Sequence, residues 1–263
     1  MIDKIATAAR GVAEDMSELG YSVVRSLFSE SEIREIRTYY DEVARVGEPI
    51  IDHWRPDLCR EEGLPGRYPR FDMAHEISDV VRRYIFHPRL RTILQTVMAD
   101  DPVAIWNVFY FKPPGTKGFR LHQDDHWNKV MPDPGIAAWM AVDDTDIDNG
   151  TIVVVPRTHM MELICPKKDD TGTFASPTYV DVPSGFEAIP IPLSSGDALF
   201  FNGRLIHGSS HNLTRSKWRR VLVSWYMKRS SARVAKVTRV VDFQGKRLQY
   251  ETVDGEAPCV ADA

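Results

Sequence analysis

The first hundred residues carry apolar side chains at helical spacing. Residues 5–19 form one apolar face and stop at Gly20, a residue suited to the left-handed conformation in which many helices end. Ser29 opens a second periodic stretch and is followed three positions later by a glutamate, which is the spacing of a capping box. Pro88 is placed to begin another helix, because its fixed φ suits the first helical position. The pattern therefore predicts a helical N-terminal part over residues 1–100.

The pattern changes after Pro102 to short runs rich in β-branched and aromatic residues. Clusters of Gly, Pro, Asn and Asp separate these runs, as expected for strands joined by turns. The runs cover residues 103–112, 137–142, 151–155, 188–192, 198–201 and 220–227. Short strands with irregular links predict a sandwich or jelly roll. We expect one domain over residues 1–263, in which the helical part packs on a β core at 101–230 and a tail at 231–263 follows.

Composition and charge narrow the class of protein. The chain has 263 residues and a formal net charge of −4 with both signs mixed, so nucleic acid is not an expected partner. No apolar run is long enough to cross a bilayer and the N-terminus lacks a signal-peptide pattern, so we expect a cytoplasmic protein without a membrane partner. The scattered cysteines Cys59, Cys165 and Cys259 form no CxxC, which argues against a disulfide-bonded scaffold and for a reducing compartment.

The strongest chemical signal is the triplet that runs from His122 to Asp124, answered far downstream by His207. Side chains two positions apart on a strand point to the same face, so the imidazole and the carboxylate can reach one metal ion. Two imidazoles and one carboxylate are the facial triad of non-haem Fe(II) enzymes, which leaves coordination positions open for a cosubstrate and O2. Taken singly, each histidine has the simpler interpretation of an ordinary buried or surface residue.

Taken jointly with their surroundings, these residues make the chain resemble the phytanoyl-CoA dioxygenase superfamily of Fe(II)/2-oxoglutarate-dependent oxygenases. The matching features are Lys112-Pro113-Pro114-Gly115, Leu121-His122-Gln123-Asp124, Trp127, Trp139, Asn149-Gly150-Thr151, residues 154–159, Gly196-Asp197, His207-Gly208-Ser209, Asn212 and the pair Arg219-Arg220. The resemblance covers roughly residues 15–230. Each of these motifs alone is common in proteins. The resemblance is specific because all of them occur in the family's order along the chain.

The resemblance implies a mainly β fold with flanking helices, namely a double-stranded β-helix, or cupin-like jelly roll. It also implies that His122, Asp124 and His207 are the catalytic metal ligands and bind Fe(II), which 2-oxoglutarate then chelates. The far carboxylate of 2-oxoglutarate needs an arginine on the strand after the second histidine. Arg219 fits the family's run best, but one extra residue before it leaves Arg220 open. Strand geometry lets only one of these two side chains face inward.

The resemblance implies further cosubstrate-binding residues around the metal. Ser209 matches a position that helps to hold the far carboxylate, and Trp139 matches an aromatic residue near the cosubstrate. Asn107 or Tyr110, on the strand before the first ligand, could reach the carboxylate that chelates the metal. These four residues complete the predicted cosubstrate site.

Five more residues are candidates for contact with the substrate. His126 and His211 each lie four positions after a metal ligand, Trp127 follows the triplet closely, and Arg70 lies where the family often places residues over the active-site mouth. Gln123 qualifies only if the strand bends, because neighbouring side chains on a strand point to opposite faces. An ordinary loop histidine or surface arginine is an equally good interpretation of His126, His211 and Arg70.

The predicted function is that of an oxidoreductase that hydroxylates or oxidatively cyclises a small molecule. We expect a natural-product intermediate, with a polyhydroxylated sugar among the candidates, and the retained Asp124 disfavours halogenation. Within the family, an acyl-CoA or an amino acid is the alternative substrate. Outside it stand a cupin-like metal enzyme, which would not need Arg219, and a metal-free binding protein, which would not need the ligands. The oligomeric state and the native metal stay open, since the ligands also suit Ni(II), Co(II) and Zn(II).

Overall fold

The protein is described by a computed structural model that covers residues 2–58, 68–255 and 257–260. Its α-helices are α1 (Ile2–Glu18), α2 (Glu30–Val46), α3 (Asp79–Ile85), α4 (Pro88–Met98) and α5 (Asp125–Asn128). The long strands are β1 (Tyr21–Val24), β3 (Pro102–Tyr110), β4 (Ile136–Ala141), β5 (Ile152–Val155), β8 (Ile189–Ile191), β9 (Ala198–Asn202), β10 (Ile206–Ser209) and β11 (Val221–Lys228). The short strands are β2 (Phe71–Asp72), β6 (Lys167–Lys168), β7 (Thr178–Tyr179), β12 (Arg233–Ala235), β13 (Val241–Asp242) and β14 (Glu251–Val253).

Two antiparallel sheets form the core of the β part. The larger sheet has the order β1-β9-β4-β11-β3-β13, and β2 also pairs with β3, on the same edge as β13. The smaller sheet has the order β10-β5-β8. Apolar side chains from both sheets meet in one buried cluster, which includes Trp139 and Leu199 from the larger sheet and Val154 from the smaller. The fold is therefore the predicted jelly roll with helices outside it. Its description as a single domain stays a prediction.

Alternation along the strands divides the larger sheet into two apolar faces. On β4, Ala137 and Trp139 face the smaller sheet, whereas Ala138 and Met140 face the helices. Side chains two positions apart share a face, so the long strands of the larger sheet contribute to both layers. The inner face surrounds the candidate site, and the outer face is covered by the N-terminal helices.

The helices form as the sequence predicts. The helix α2 begins at the capping box of Ser29 and Glu32 and buries Ile33, Ile36 and Tyr40 against the sheet. Ser29 accepts a hydrogen bond from the Glu32 amide, and the Glu32 carboxylate accepts one from the Ser29 amide at 2.7 Å. The aromatic ring of Tyr40 stacks on Phe109 of β3 with centroids 3.7 Å apart. The outer layer is thus fixed to the strand that leads to the site.

A disulfide between Cys165 and Cys259 corrects the expectation of free, scattered thiols. The two cysteines are 94 positions apart in sequence, but Ile164 and Val260 form a parallel bridge that brings the segments side by side. Their Cα atoms lie 5.0 Å apart, within the range that a disulfide requires. Sequence spacing does not show such long-range pairing, which is why the prediction was wrong. The third cysteine, Cys59, lies outside the described residues.

Among the described residues, no helix combines the length and the apolar character that crossing a bilayer requires.

Replacement of Phe109 by alanine tests the junction between helices and sheet. Its side chain is fully buried between Tyr40 and Phe111, so we expect Phe109→Ala to lower the free energy of unfolding by about 3–5 kcal/mol. Urea denaturation measures this change. The control Ile51→Ala, at a side chain that is 75% exposed, is expected to cost less than about 0.5 kcal/mol. Equal effects of the two variants would contradict the proposed packing.

Candidate active site

Three potential metal ligands converge inside the jelly roll. His122 and His207 pair as neighbouring extended residues through two backbone hydrogen bonds of 2.8 and 3.0 Å, and Asp124 follows at the start of α5. One ligand atom from each residue lies within 4.8 Å of the others. The Asp124 Oδ1 atom is 3.5 Å from His122 Nε2 and 3.7 Å from His207 Nε2. One cation can therefore contact all three side chains.

Neighbouring groups fix which atoms of these side chains face the shared space. His122 Nδ1 donates to the Arg120 carbonyl at 2.7 Å, and His207 Nδ1 donates to the Leu205 carbonyl at 3.0 Å. A carbonyl only accepts, so Nδ1 carries the proton in both rings and the Nε2 lone pairs are free for a metal. The Oδ2 atom of Asp124 accepts from the Trp225 indole at 2.5 Å, which leaves Oδ1 for the same purpose.

The electrostatics favour the protonation states that a metal needs. Burial lowers the pKa of His207 to about 4, so its imidazole is neutral near pH 7. Burial alone would raise the pKa of Asp124, but His207, His122 and the Trp225 indole together hold it below its usual value. Neutral imidazoles and an ionised carboxylate are the forms that bind metal ions. The donor set therefore fits Fe(II), with positions left open for other ligands.

A cavity of about 640 Å³ opens beside the three residues, and Arg219 lies in its wall. Its guanidinium is buried, donates from Nε to the Gly150 carbonyl at 3.0 Å and lies 5.5 Å from the ring of Trp139. Arg220 points the other way and forms ion pairs with Asp143 and Asp41. Of the two arginines, the structure thus places only Arg219 in the cavity.

Ser209, Trp139 and Tyr110 also line the cavity, as expected for the cosubstrate side. The Ser209 hydroxyl accepts from the Phe119 amide at 3.0 Å, so its own proton is available for an anion. Burial raises the pKa of Tyr110 to about 12, so its hydroxyl is a hydrogen-bond donor over the physiological pH range. Two hydroxyl donors and one arginine therefore share a cavity with the candidate metal ligands.

Comparison with known proteins agrees with this geometry. The family model described as Phytanoyl-CoA dioxygenase (PhyH) matches residues 16–221. The chain belongs to the phytanoyl-CoA dioxygenase family. Its members are non-haem iron and 2-oxoglutarate-dependent dioxygenases, so the recognition and the enzyme class predicted from the sequence are confirmed.

The relatives are distant but cover most of the chain. Phytanoyl-CoA dioxygenase 1 of Oryza sativa subsp. japonica is 24% identical over 222 residues, which is 80% of this chain and 77% of that protein. The peroxisomal phytanoyl-CoA dioxygenase of Mus musculus is 28% identical over 214 residues, or 75% of this chain. The matched part spans 62% of the mouse protein's length.

Solved structures share the fold at low sequence identity. The epimerase SnoN of nogalamycin biosynthesis, described as non-haem and α-ketoglutarate-dependent, superposes with a TM-score of 0.67 at 19% identity and covers 86% of this chain and 85% of its own. EvdO2 from Micromonospora carbonacea var. aurantiaca, solved with 2-oxoglutarate, superposes with a TM-score of 0.65 at 20% identity. The match covers 84% of this chain and 91% of EvdO2. These likenesses confirm the jelly-roll fold.

Asn107 does not face the cosubstrate side, which corrects one prediction within the family site. It is three positions from Tyr110, so the two side chains point to opposite faces of β3. The Asn107 amide contacts the His75 ring among the helices, and its carbonyl accepts from the Met73 amide at 2.8 Å. Only Tyr110 of the two candidates reaches the cavity.

Three residues predicted to contact substrate lie behind the cavity wall instead. Gln123 is fully buried and bonds Arg204 and Ile164 through its amide group, at 2.8 and 2.9 Å. His126 lies 2.7 Å from the Ile164 carbonyl through Nε2. His211 accepts at Nδ1 from the Gly118 amide at 3.2 Å. The turn at α5 and the loop after β10 break the strand spacing on which the predictions for His126 and His211 depended. Gln123 instead points away from the cavity, as strand alternation alone indicates.

Trp127 and Arg70 do line the cavity, so their assignment to the substrate stays a prediction. Trp127 is 52% exposed, and its ring centroid is 5.3 Å from that of His122. Arg70 pairs with Asp72 at 3.0 Å on the same side of the cavity as Tyr110. Both side chains lie at the open side, where a substrate would enter.

Sequence reasoning missed part of the cavity wall. Trp225 and Val223 share the inward alternation that begins at Arg219, so strand periodicity could have revealed them. Trp106 lies four positions before Tyr110 on β3, so the same alternation predicts that it also faces the cavity. The long polar stretch before β8 has the character of a substrate loop, but the sequence did not identify which of its residues, or which residues of the tail, reach the cavity, because only tertiary packing brings them there. They are Ala175, Ser176, Pro177, Thr178, Val237 and Thr238.

Arg120 connects the segment at residues 169–180 to the extended segment that contains His122. Its guanidinium bonds Asp169 at 2.6 and 3.2 Å and lies between the rings of Phe174 and Tyr179, 4.8 and 4.7 Å from their centroids. The same residue's carbonyl holds His122 Nδ1. One arginine therefore links the loop over the cavity to a candidate metal ligand.

We expect Arg120→Met to loosen this loop without unfolding the protein. The Ala175 amide, bonded to Gly118 at 2.8 Å, and the Val180 amide, bonded to Leu121 at 2.9 Å, should exchange hydrogen about tenfold faster. Hydrogen exchange measured by mass spectrometry tests this. Arg157→Met, which removes an exposed ion pair with Glu18, is the matched control. If these two amides exchange at the wild-type rate in Arg120→Met, Arg120 does not hold the loop in place.

Proposed function

We propose that this chain is an Fe(II)- and 2-oxoglutarate-dependent oxygenase in which His122, Asp124 and His207 hold the iron. The observation that supports the proposal most directly is that Arg219 is buried without a carboxylate partner among the described residues. Its guanidinium lines the cavity beside the three ligands. Burial of an unpaired charge is costly, so the cavity is suited to a ligand that brings its own anion.

Arg219 would hold the far carboxylate of 2-oxoglutarate. Its Nε is engaged by Gly150, which orients the guanidinium and leaves the terminal nitrogens for a carboxylate. Burial lowers the pKa of Arg219 to about 10, so the side chain remains a cation near pH 7. The Ser209 hydroxyl would donate to the same carboxylate, and Tyr110 would donate to the carboxylate at the metal.

When bound, Fe(II) would activate O2, the oxidant, and 2-oxoglutarate would be oxidised together with the substrate to give succinate and CO2. The chain's own contribution is to orient the ligands and to exclude water. Apolar side chains of Ile152, Phe201 and Val223 line the cavity around the candidate iron site. An apolar wall strengthens the attraction between Arg219 and an anion, because little water is present to screen it.

The substrate proposed is a small natural-product intermediate with ring systems. Trp106, Trp127 and Trp225 contribute indoles to the lining of the cavity, and Arg70 and Thr178 add polar groups to it. Indoles provide flat faces for rings, including sugar rings, while the polar groups can bond hydroxyls. The solved neighbours include proteins described as belonging to nogalamycin biosynthesis, which supports this class.

An acyl-CoA is the second candidate substrate, because the curated relatives are named phytanoyl-CoA dioxygenases. A CoA diphosphate needs a basic groove. Arg70 is the described residue of the arginine-rich segment that could contribute to one, whereas Arg60 and Arg67 lie outside the described residues. An amino-acid substrate and a cytoplasmic location are compatible with the sequence and stay predictions.

Anaerobic titration with Fe(II) and 2-oxoglutarate tests the site directly. A chelated 2-oxo acid gives a visible charge-transfer band, which we expect in the wild type and not in His207→Ala. Arg219→Met should raise the dissociation constant of 2-oxoglutarate by about 10- to 100-fold, as expected for loss of a charge-assisted bond. The control is Arg220→Met, whose side chain pairs with Asp143 outside the cavity and should leave that constant unchanged.

The absence of a band in the wild type, with metal bound, would favour a cupin-like enzyme without 2-oxoglutarate. Equal effects of Arg219→Met and Arg220→Met would remove the role proposed for Arg219.

A panel of compounds tests the substrate class. We expect ring-containing natural products, glycosylated ones among them, to increase succinate release above the uncoupled rate. The physical reason is that a substrate seated against Trp106, Trp127 and Trp225 excludes water from the iron site. Trp127→Ala should raise the KM for an active compound more than it changes the KM for 2-oxoglutarate. Stimulation by acyl-CoA thioesters alone would overturn the natural-product assignment.

A further inference from the structure

A lysine lies in the wall of the cosubstrate cavity, where the site described so far does not use it. Lys112 follows β3, adopts a left-handed backbone with φ of 40° and is only 7% exposed. Its side chain lines the same cavity as Arg219 and Ser209. Lysine is almost never buried without a partner, so this position calls for a physical explanation.

The contacts of Lys112 satisfy only part of its hydrogen-bonding capacity. Its Nζ donates to the Lys117 carbonyl at 2.6 Å and lies 4.4 Å from the ring centroid of Phe119 and 6.0 Å from that of Tyr110. An ammonium group has three donors, and the carbonyl takes one of them. Among the described residues, no carboxylate forms an ion pair with this side chain.

The surrounding bonds bring Lys112 to the end of the cavity where the far carboxylate is expected. The Lys112 carbonyl accepts from the Arg219 amide at 3.0 Å. Phe119, whose ring lies under Nζ, donates its amide to the Ser209 hydroxyl at 3.0 Å. Lys112, Arg219 and Ser209 are therefore connected through one set of contacts around a common space.

Two buried cations at one end of a cavity repel each other unless an anion joins them. Burial and the neighbouring Arg219 charge lower the pKa of Lys112 well below its usual value. Among the described residues, the other titratable group that faces Lys112 is Tyr110, which is neutral near pH 7. The Lys117 side chain on the same loop is exposed and contributes only its carbonyl. A bound carboxylate would relieve the repulsion and favour the charged amine.

We propose that Lys112 is a second cation for the far carboxylate of 2-oxoglutarate and that, with Arg219, it restricts the cavity to 2-oxo acids that end in an anion. This inference rests on the proposed function. It assigns a binding role to a residue that touches the cosubstrate at the end remote from the metal. The alternative is a purely structural role, called a strut below, in which Lys112 only stabilises its own loop by donating to the Lys117 carbonyl.

The test compares two 2-oxo acids that differ in the far carboxylate. The Fe(II)-loaded protein is titrated without oxygen with 2-oxoglutarate and with 2-oxovalerate, which has the same chain length and no second carboxylate. Lys112→Met keeps the length and apolar character of the side chain and removes the charge. We expect it to raise the dissociation constant of 2-oxoglutarate by about 10- to 100-fold and that of 2-oxovalerate by less than twofold. The control is Lys117→Met, which should change neither.

Calorimetry of the wild type supplies a measurement that needs no variant. Binding of 2-oxoglutarate near pH 8, measured in buffers of different ionisation enthalpy, should show net proton uptake, and 2-oxovalerate should show little. The protonation of Lys112 on binding of the anion is the expected source.

Each other outcome overturns the inference. Equal weakening of both 2-oxo acids by Lys112→Met indicates a strut, and unchanged binding removes Lys112 from the carboxylate site. If Lys112→Met does not fold, absence of proton uptake in the wild type overturns the proposal by itself. Failure of the wild type to bind 2-oxoglutarate would instead overturn the proposed function, so the two failures are distinguishable.

Discussion

The antiparallel pairing of His122 with His207 is the contact on which the candidate site depends. It joins the segment after β3 to β10, so that two ligands from distant parts of the chain lie on adjacent extended segments with ring centroids 4.3 Å apart. Close approach is possible because Gly208 follows the second histidine: a Cβ there would lie 2.7 Å from the Phe119 carbonyl oxygen. A larger residue would separate the two segments and with them the ligands.

Strand alternation then determines what surrounds the metal ligands. The inward positions that begin at Arg219 continue through Val223 to Trp225 along β11. This one stretch supplies a cation, an apolar wall and the indole that holds Asp124 Oδ2. A shift of one residue would turn all of these side chains toward the helices and bring Arg220 inward. The Asp143 and Asp41 ion pairs of Arg220 therefore also help to fix the register.

Local patterns predicted most of the elements and the chemical centre. The capping box of α2 and the strands around the jelly roll follow from local spacing, which depends on near neighbours in sequence. The preference for Arg219 came from the family resemblance, because strand alternation required only that one of the two arginines face inward. The errors lie where distant segments meet or a strand bends. The Cys165–Cys259 disulfide depends on pairing of a loop with the tail, and the position of His126 depends on the turn into α5. Neither arrangement leaves a trace in local spacing.

The charges of the cavity suggest an order in which ligands enter. With Fe(II) bound, the ligand-free cavity would hold a divalent cation beside the unpaired guanidinium of Arg219. Among the described residues, Asp124 is the one carboxylate that lines it. This excess of positive charge, enclosed by apolar walls, attracts a small dicarboxylate more strongly than a neutral organic molecule. The indoles of Trp106 and Trp127 in the cavity wall carry no charge that would attract the anion, so they remain available to the substrate. The cosubstrate is therefore expected to bind first and to complete the surface on which the substrate rests.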